Sequence, residues 1–337
     1  VSESKPYIGG QAVIEGVMMR APGCMSIAVR KPDGTIAITE GPMTSRRAAL
    51  WKLPFFRGVG TLVESMSLGY RALRFSAEQQ LTEEERAKGG GGSGGGALFV
   101  STLLALGLFV ALPQVAAAGT GSLFGLELNV QHWTFHALTG AFKLVVLTAY
   151  LALISQLPDI KRVFQYHGAE HKTIYAYEEG LPLTVENVRK QSTLHPRCGT
   201  TFLIVVVLVS VVAGSVATPL LLPDVEGLAA QILTLAIRIG LLPVIAGVSY
   251  ELQRLSARYC TTGPLRVLLW PGFLFQKITT REPDEKQIEI AITAMRTAMW
   301  RESVGAEVAA DETPLVFESF DSFLEELPSL RPQRVGA

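Results

Sequence analysis

The sequence predicts an all-α integral membrane protein with four transmembrane helices and a small cytoplasmic N-terminal region that contains a β-hairpin. Three observations lead there. The 337-residue chain is 48% hydrophobic and only 18% charged, with a mean hydropathy of +0.31, which departs from the usual soluble composition. Four stretches, 97–118, 136–157, 202–222 and 228–250, have the ~20 mostly apolar residues needed to cross a hydrocarbon core. Basic residues also alternate between loops. Loops 119–135 and 223–227 hold no Lys or Arg, whereas 158–201 carries Lys161, Arg162, Lys172, Arg189, Lys190 and Arg197.

Arg86 and Lys88 before the first stretch, and Arg254, Arg258 and Arg266 after the fourth, fall on that same basic side. Excess positive charge marks the cytoplasmic face. The expected location is the inner (plasma) membrane, with both termini cytoplasmic and the lipid bilayer as the first partner. The first apolar stretch starts near residue 97 and is not expected to be a signal peptide. A formal net charge of zero gives no reason to expect nucleic acid as a partner. Cys24, Cys198 and Cys260 fall in or beside the cytoplasmic parts, where thiols are expected to be reduced rather than paired.

The chain divides into five segments. In 1–88, MSIAVRKPDGTIAITEGP alternates apolar and polar residues around Pro32-Asp33-Gly34, a hairpin signal. The following AALWKLPFFRGVGTLVESMSLGYRALRF, broken at Pro54, has amphipathic helical spacing and is expected on the membrane surface or on the cytoplasmic ends of the spans. GGGGSGGG at 89–96 is a flexible linker by composition and looks engineered. The four-helix core occupies 97–250. Within 251–303, TGPLRVLLWPGFLFQ is too short to span and is expected to be interfacial or re-entrant. A helix is then expected from TTREPDEK, with Pro283 at its first position. The acidic stretch 304–337 is expected to be a loosely ordered tail.

The chemistry concentrates in YHGAEHKTIYAYEEG. His167, Glu170 and His171 form HxxEH, and on a helix the i, i+3, i+4 spacing puts all three on one face. Two imidazoles can hold a metal there while the carboxylate reaches a water, the inverted-zincin arrangement with Glu170 as general base. A polar helix with hydrogen-bonded histidines would give the same bare pattern. STLHPRCGTTF adds His195 and Cys198 at a usable ligand spacing, so three of the five histidines gather within about thirty residues. Taken alone, Cys198 reads as a small buried residue at a helix end. Glu251, in SYELQRL, could serve as the distant glutamate ligand of such sites, although a boundary carboxylate beside Arg254 explains it as well. Gln11, Glu15 and Arg20 could reach toward the metal, or simply belong to a tight turn. Lys143 and Arg238 are cations inside predicted spans that hold no acid, so they are expected to face a partner, a cavity or an interface.

GGQAVIEGVMMR, DIKRVFQYHGAEHKTIYAYEEG, LTVENVR, HPRCGT, SYEL and TTREPD occur in this order. They resemble the YqhQ-like family of bacterial membrane proteins, a domain-of-unknown-function family described as predicted metal-dependent enzymes. The resemblance covers most of 7–301. It implies a multi-pass membrane protein with a metal site carried by His167, His171, His195 and by Cys198 and Glu170, and it supplies no substrate.

Two functions of different class follow. The first is a membrane-embedded hydrolase in which zinc, or another divalent transition metal, is held by His167, His171 and one of His195, Cys198 or Glu251, with Glu170 as catalytic base. The second is a non-enzymatic membrane adaptor or assembly factor, docking on other membrane proteins, whose metal is closed off by four protein ligands. The place of Glu170 inside the motif favours the first. A transporter finds less support, because the four stretches show no internal repeat.

Overall fold

A computed structural model describes residues 6–43, 53, 56–82, 94–125, 128–260, 264–304 and 313–327. The N-terminal region is built around an antiparallel five-stranded sheet in the order β1 (Gly9–Val13), β2 (Gly16–Arg20), β3 (Cys24–Arg30), β4 (Ile36–Pro42) and β5 (Leu315–Phe317). The predicted hairpin is β3–β4, closed at Gly34 with φ +91° and paired from Arg30↔Ile36 to Cys24↔Pro42. A second hairpin, β1–β2, turns at Ile14-Glu15. Glu15 adopts the left-handed region at φ 52°, held by Nε and Nη2 of Arg162 and by the Tyr166 hydroxyl at 3.2 Å.

The expectation of a loosely ordered tail is corrected for 313–327. There β5 pairs with β4 through Ala37↔Val316, and a short helix, α12 (Phe320–Glu326), buries Phe323 against Phe317. Its start is a Ser319–Ser322 capping box. The apolar residues Leu315, Phe317 and Phe323 supply what a tail by composition lacks. The rest of the acidic stretch and 89–93 of the glycine linker lie outside the described residues.

Both faces of the sheet are covered. Along β3, Cys24, Ser26 and Ala28 point one way, toward α5 (Pro158–Glu179) and α11 (Glu285–Val304). Met25, Ile27 and Val29 point the other way, toward Leu68 and Ala72 of α1 (Phe56–Gln80). Ser26 Oγ donates to Ala294 O at 2.6 Å, and a buried Arg301–Glu40 ion pair at 2.9 Å crosses from α11 to β4. Helix α11 starts two residues later than expected from Pro283. Asp284 caps it, exchanging hydrogen bonds with Gln287.

The apolar helices follow. α2 (Gly94–Leu106) runs through a π turn (Gly107–Ala111) into α3 (Leu112–Phe124), the turn lying just ahead of Pro113. α4 (Trp133–Ile154) and α7 (Gly199–Leu221) are continuous, and the short α6 (Val185–Arg189) lies between α5 and α7. Three helices, Phe99–Phe124, Trp133–Ile154 and Gly199–Leu221, are long and apolar enough to cross a membrane. The expected fourth, 228–250, is not one straight helix: α8 (Gly227–Gly240) and α9 (Leu242–Tyr259) meet at 51° and pass the same test only as a bent pair. Pro243 opens α9, and proline cannot donate to the carbonyl four residues back, so the ladder breaks after Gly240. TGPLRVLLWPGFLFQ forms a 3₁₀ turn (Pro264–Leu269) and α10 (Trp270–Thr279), whose Gly272 packs against Thr201 at the base of α7.

Candidate metal centre

Helix α5 starts at Pro158, immediately after α4 ends, and carries the HxxEH motif on the side that meets the sheet and the loop before α7. The rings of His167 and His171 lie 4.4 Å apart between centroids. Each Nδ1 is tied to a backbone carbonyl: His167 Nδ1 donates to Thr279 O at 2.8 Å, and His171 Nδ1 to Thr193 O at 2.5 Å. A carbonyl oxygen only accepts, so the protons sit on Nδ1 and both Nε2 atoms keep their lone pairs. Imidazole ligands of metals are oriented by this same kind of outer hydrogen bond.

Cys198 is the N-cap of α7. Its Sγ accepts from Thr200 N at 3.5 Å and lies 3.3 Å from His167 Nε2. His171 Nε2 is buried and has no hydrogen-bond partner among the described residues. The two nitrogens and the sulfur all lie within 4.8 Å of one another. Ligand atoms around a tetrahedral zinc stand roughly 3.3–3.6 Å apart. The 3.3 Å between His167 Nε2 and Cys198 Sγ matches that spacing, 4.8 Å bounds the other separations, and a nitrogen–nitrogen–sulfur donor set with an orphaned, lone-pair-bearing nitrogen suits the chemistry of that ion. Burial also holds His171 in its neutral, ligating form by lowering its pKa.

Glu170 is buried between the two histidines in sequence and is covered by β1. A Cβ on Gly10 would come within 2.7 Å of Glu170 Cγ, so only glycine admits the carboxylate there. Among the described residues no donor hydrogen-bonds to it. Burial pushes its carboxyl above the usual range, an effect that protonation of the nearby His167 or His195 would oppose.

The other predicted ligands stand apart from these three atoms. His195 is buried beside them, its ring 5.7 Å from that of His171 and 4.5 Å from that of Tyr175. Its Nδ1 accepts from Arg197 N at 3.3 Å, which leaves the proton on Nε2; that nitrogen is buried 3.5 Å from Glu178 Oε2 without a hydrogen bond among the described residues. In this tautomer Nε2 presents no lone pair to a metal. Gln276 locks this loop with two 2.8 Å bonds to the backbone of His195. Glu251 is outside the cluster altogether: Arg57 grips its carboxylate with Nε at 2.6 Å and Nη2 at 2.5 Å.

The cluster opens on a cavity of about 870 Å³ between the sheet, α1, α5, the start of α7 and Tyr250 in the middle of α9. Gln11 and Arg20 of the N-terminal glycine-rich motif line it, as do Ile8, Met18 and Leu68, whereas Glu15 turns away to Arg162. Sequence reasoning missed Gly10 and Gln276, and it did not find the two orienting carbonyls, which leave no trace in side-chain identity. The only signal was the recurrence of glycine in GGQAVIEG.

Residues 53–301 match the family described as "Protein of unknown function (DUF1385)". The chain belongs to the DUF1385 family. It is 34% identical over 316 residues to the "Uncharacterized protein YqhQ" of Bacillus subtilis (strain 168), covering 90% of this chain and 95% of that protein. No solved structure matches. The matched DUF1385 region contains His167, Glu170, His171, His195 and Cys198 together with α1 and α9, so it includes every ligand atom of the cluster and part of the cavity wall. The family resemblance read from the motifs is established at this level.

Proposed function

We propose that this DUF1385 protein is a membrane-embedded, zinc-dependent hydrolase whose site lies at the cytoplasmic ends of its spanning helices. The observation that carries the reading is the cavity of about 870 Å³ that opens on His167, His171, Cys198 and Glu170 together. A structural site is closed by four protein ligands, whereas a catalytic one has three and a free position facing substrate. Zinc bound there would polarise a carbonyl or phosphoryl oxygen and acidify water.

The chain's own residues supply the remainder. His167 and His171, anchored through Nδ1, and Cys198, fixed as the cap of α7, form a rigid three-sided cradle. Glu170, in a water-poor wall against Gly10, accepts a proton from the attacking water and passes it to the leaving group. Ile8, Met18 and Leu68 offer apolar surface beside Arg20 and Gln11, which suits an ester or amide with an apolar body.

The test uses the full chain in detergent with cobalt in place of zinc. Acetohydroxamate should perturb the cobalt absorption spectrum in the wild type and in Glu170→Gln, while hydrolysis of a fluorogenic ester and peptide panel is lost only in the variant. A cobalt spectrum that no added ligand alters would instead favour the adaptor with a closed structural metal, for which His195 stands nearest as a fourth ligand.

A further inference from the structure

The apolar helices carry a second cluster of buried polar groups that the metal centre does not use. Arg238, in the last turn of α8, is 5% exposed. Its Nη2 donates to His136 Nδ1 at 2.9 Å and to Thr139 Oγ1 at 3.4 Å, and its Nη1 is buried with no hydrogen-bond partner. Lys143, two turns beyond His136 on α4, donates to Ser210 Oγ of α7 at 3.0 Å. The charges of Arg238 and Lys143 repel each other.

The acceptors that these two cations reach are all neutral. His136 Nε2 lies 2.8 Å from Val130 O, so it bears the proton, and Nδ1 is the lone pair that receives Arg238. His136 is therefore neutral and supplies no negative charge. Thr139 Oγ1 gives its proton to Phe135 O and Ser210 Oγ gives its proton to Val207 O, so both hydroxyls serve only as acceptors for the cations. Among the described residues, Thr234 of α8 and Thr218 of α7 also hold buried hydroxyls without a partner, but these are neutral; the unspent charged groups are Arg238 Nη1 and two N–H bonds of Lys143. No Asp or Glu occurs in α4, α7 or α8, and Glu251 of α9 is held by Arg57. Lys143 and Arg238 each lie ten or eleven residues into their helices, about 15 Å from the end opposite the metal centre. Two cations at that depth without a counter-charge are costly.

We infer that Arg238 and Lys143 form a binding site for a monovalent anion, either chloride or the carboxylate of a fatty acid, midway along the apolar helices. The site is built in: Gly214 leaves space for the His136 ring, whose Nδ1 would lie 2.7 Å from a Cβ there, and Gly140 lets α4 approach Val211 of α7. Phe135 covers the guanidinium at 5.7 Å. A bound anion would complete the donors that the protein leaves unspent.

The experiment is thermal unfolding of the purified full chain in detergent, with chloride replacing gluconate at constant ionic strength and, separately, with laurate added. Specific binding raises Tm saturably, by about 5 °C for ligand well above its Kd. A rise with chloride in the wild type that is absent in Lys143→Gln and Arg238→Gln supports a chloride site. A rise with laurate alone, absent in the same variants, supports the carboxylate. If Arg238→Gln does not fold, Lys143→Gln and an anomalous bromide peak between the two side chains in the wild type carry the decision. No rise with either anion, or an equal rise in wild type and variants, overturns the inference.

Discussion

At the start of α7, Cys198 meets His167 and His171. Farther along the same helix Ser210 meets Lys143, and Gly214 makes room for His136 beside Arg238. Cys198 and Ser210 are twelve residues apart, about 18 Å along the axis. Both clusters contain a buried histidine whose tautomer is set by a backbone carbonyl, yet that carbonyl binds opposite nitrogens. At the metal centre it takes the Nδ1 proton, so lone pairs converge with a sulfur on a cavity. Between the apolar helices it takes the Nε2 proton, so the lone pair is consumed by Arg238 and cationic N–H donors are left over. In our proposal one arrangement is a cradle for a cation and the other for an anion, and the nitrogen that the backbone carbonyl takes sets which.

The largest effect expected is on the metal itself. His171→Ala removes the orphaned nitrogen, and zinc measured by elemental analysis of the purified protein should fall from stoichiometric to background. An unchanged zinc content would remove the cluster from consideration as a metal site. Glu170→Gln should leave zinc in place and lower hydrolysis of any substrate found by about 10²–10⁴-fold, the usual worth of a positioned general base. An equal loss of zinc and activity would make Glu170 a ligand instead.

Two glycine substitutions separate the clusters. A Cβ on Gly168 would come within 2.1 Å of Arg281 O, a backbone atom that cannot swing aside. Gly168→Ala should push α5 off the segment that supplies Thr279 O to His167, at a cost on the order of 3 kcal/mol in chemical denaturation, and weaken zinc binding. Gly214→Ala should abolish the response to chloride or laurate and keep zinc, with a cost of about 2 kcal/mol. If either variant damaged both clusters alike, the two would be one cooperative unit.

The smallest effect is on pH dependence. Burial lowers the pKa of His195 to about 4, below the unfolded value near 6.5. The unfolded chain then binds the extra proton first on acidification, so stability is fully present above about 6.5 and is lost as pH falls toward 4. The His195 share of that loss is on the order of 2–3 kcal/mol in zinc-free protein, and His195→Gln should make the profile shallower in melts taken across this range, the remainder coming from His171, which burial also holds neutral. A wild-type profile that is already flat would mean that His195 is not buried in its neutral form.

Much of this architecture was legible because it is local. The apolar runs, the Pro32-Asp33-Gly34 turn and the HxxEH spacing each lie within one element or one hairpin. What escaped is non-local or leaves no side-chain signature. β5 pairs Val316 with Ala37 across nearly the whole chain, and the alternation in β3 does not reveal that both faces are covered. The break at Gly240 was visible as Leu-Pro in an apolar run, but hydropathy counted straight through it. At the site, HxxEH gave His167 and His171 of the cluster and the neighbouring Glu170. The choice among Cys198, His195 and Glu251 depended on Arg57, on Arg197 N and on the cap of α7, contacts that no spacing rule contains.

X-ray absorption at the zinc edge of the full chain in detergent tests the central claim most directly. The account predicts one sulfur at ~2.3 Å, two imidazole nitrogens at ~2.0–2.1 Å and one exchangeable oxygen. A shell of three imidazoles and one sulfur with no oxygen would contradict it, because it would place His195 on the metal and close the position that substrate needs.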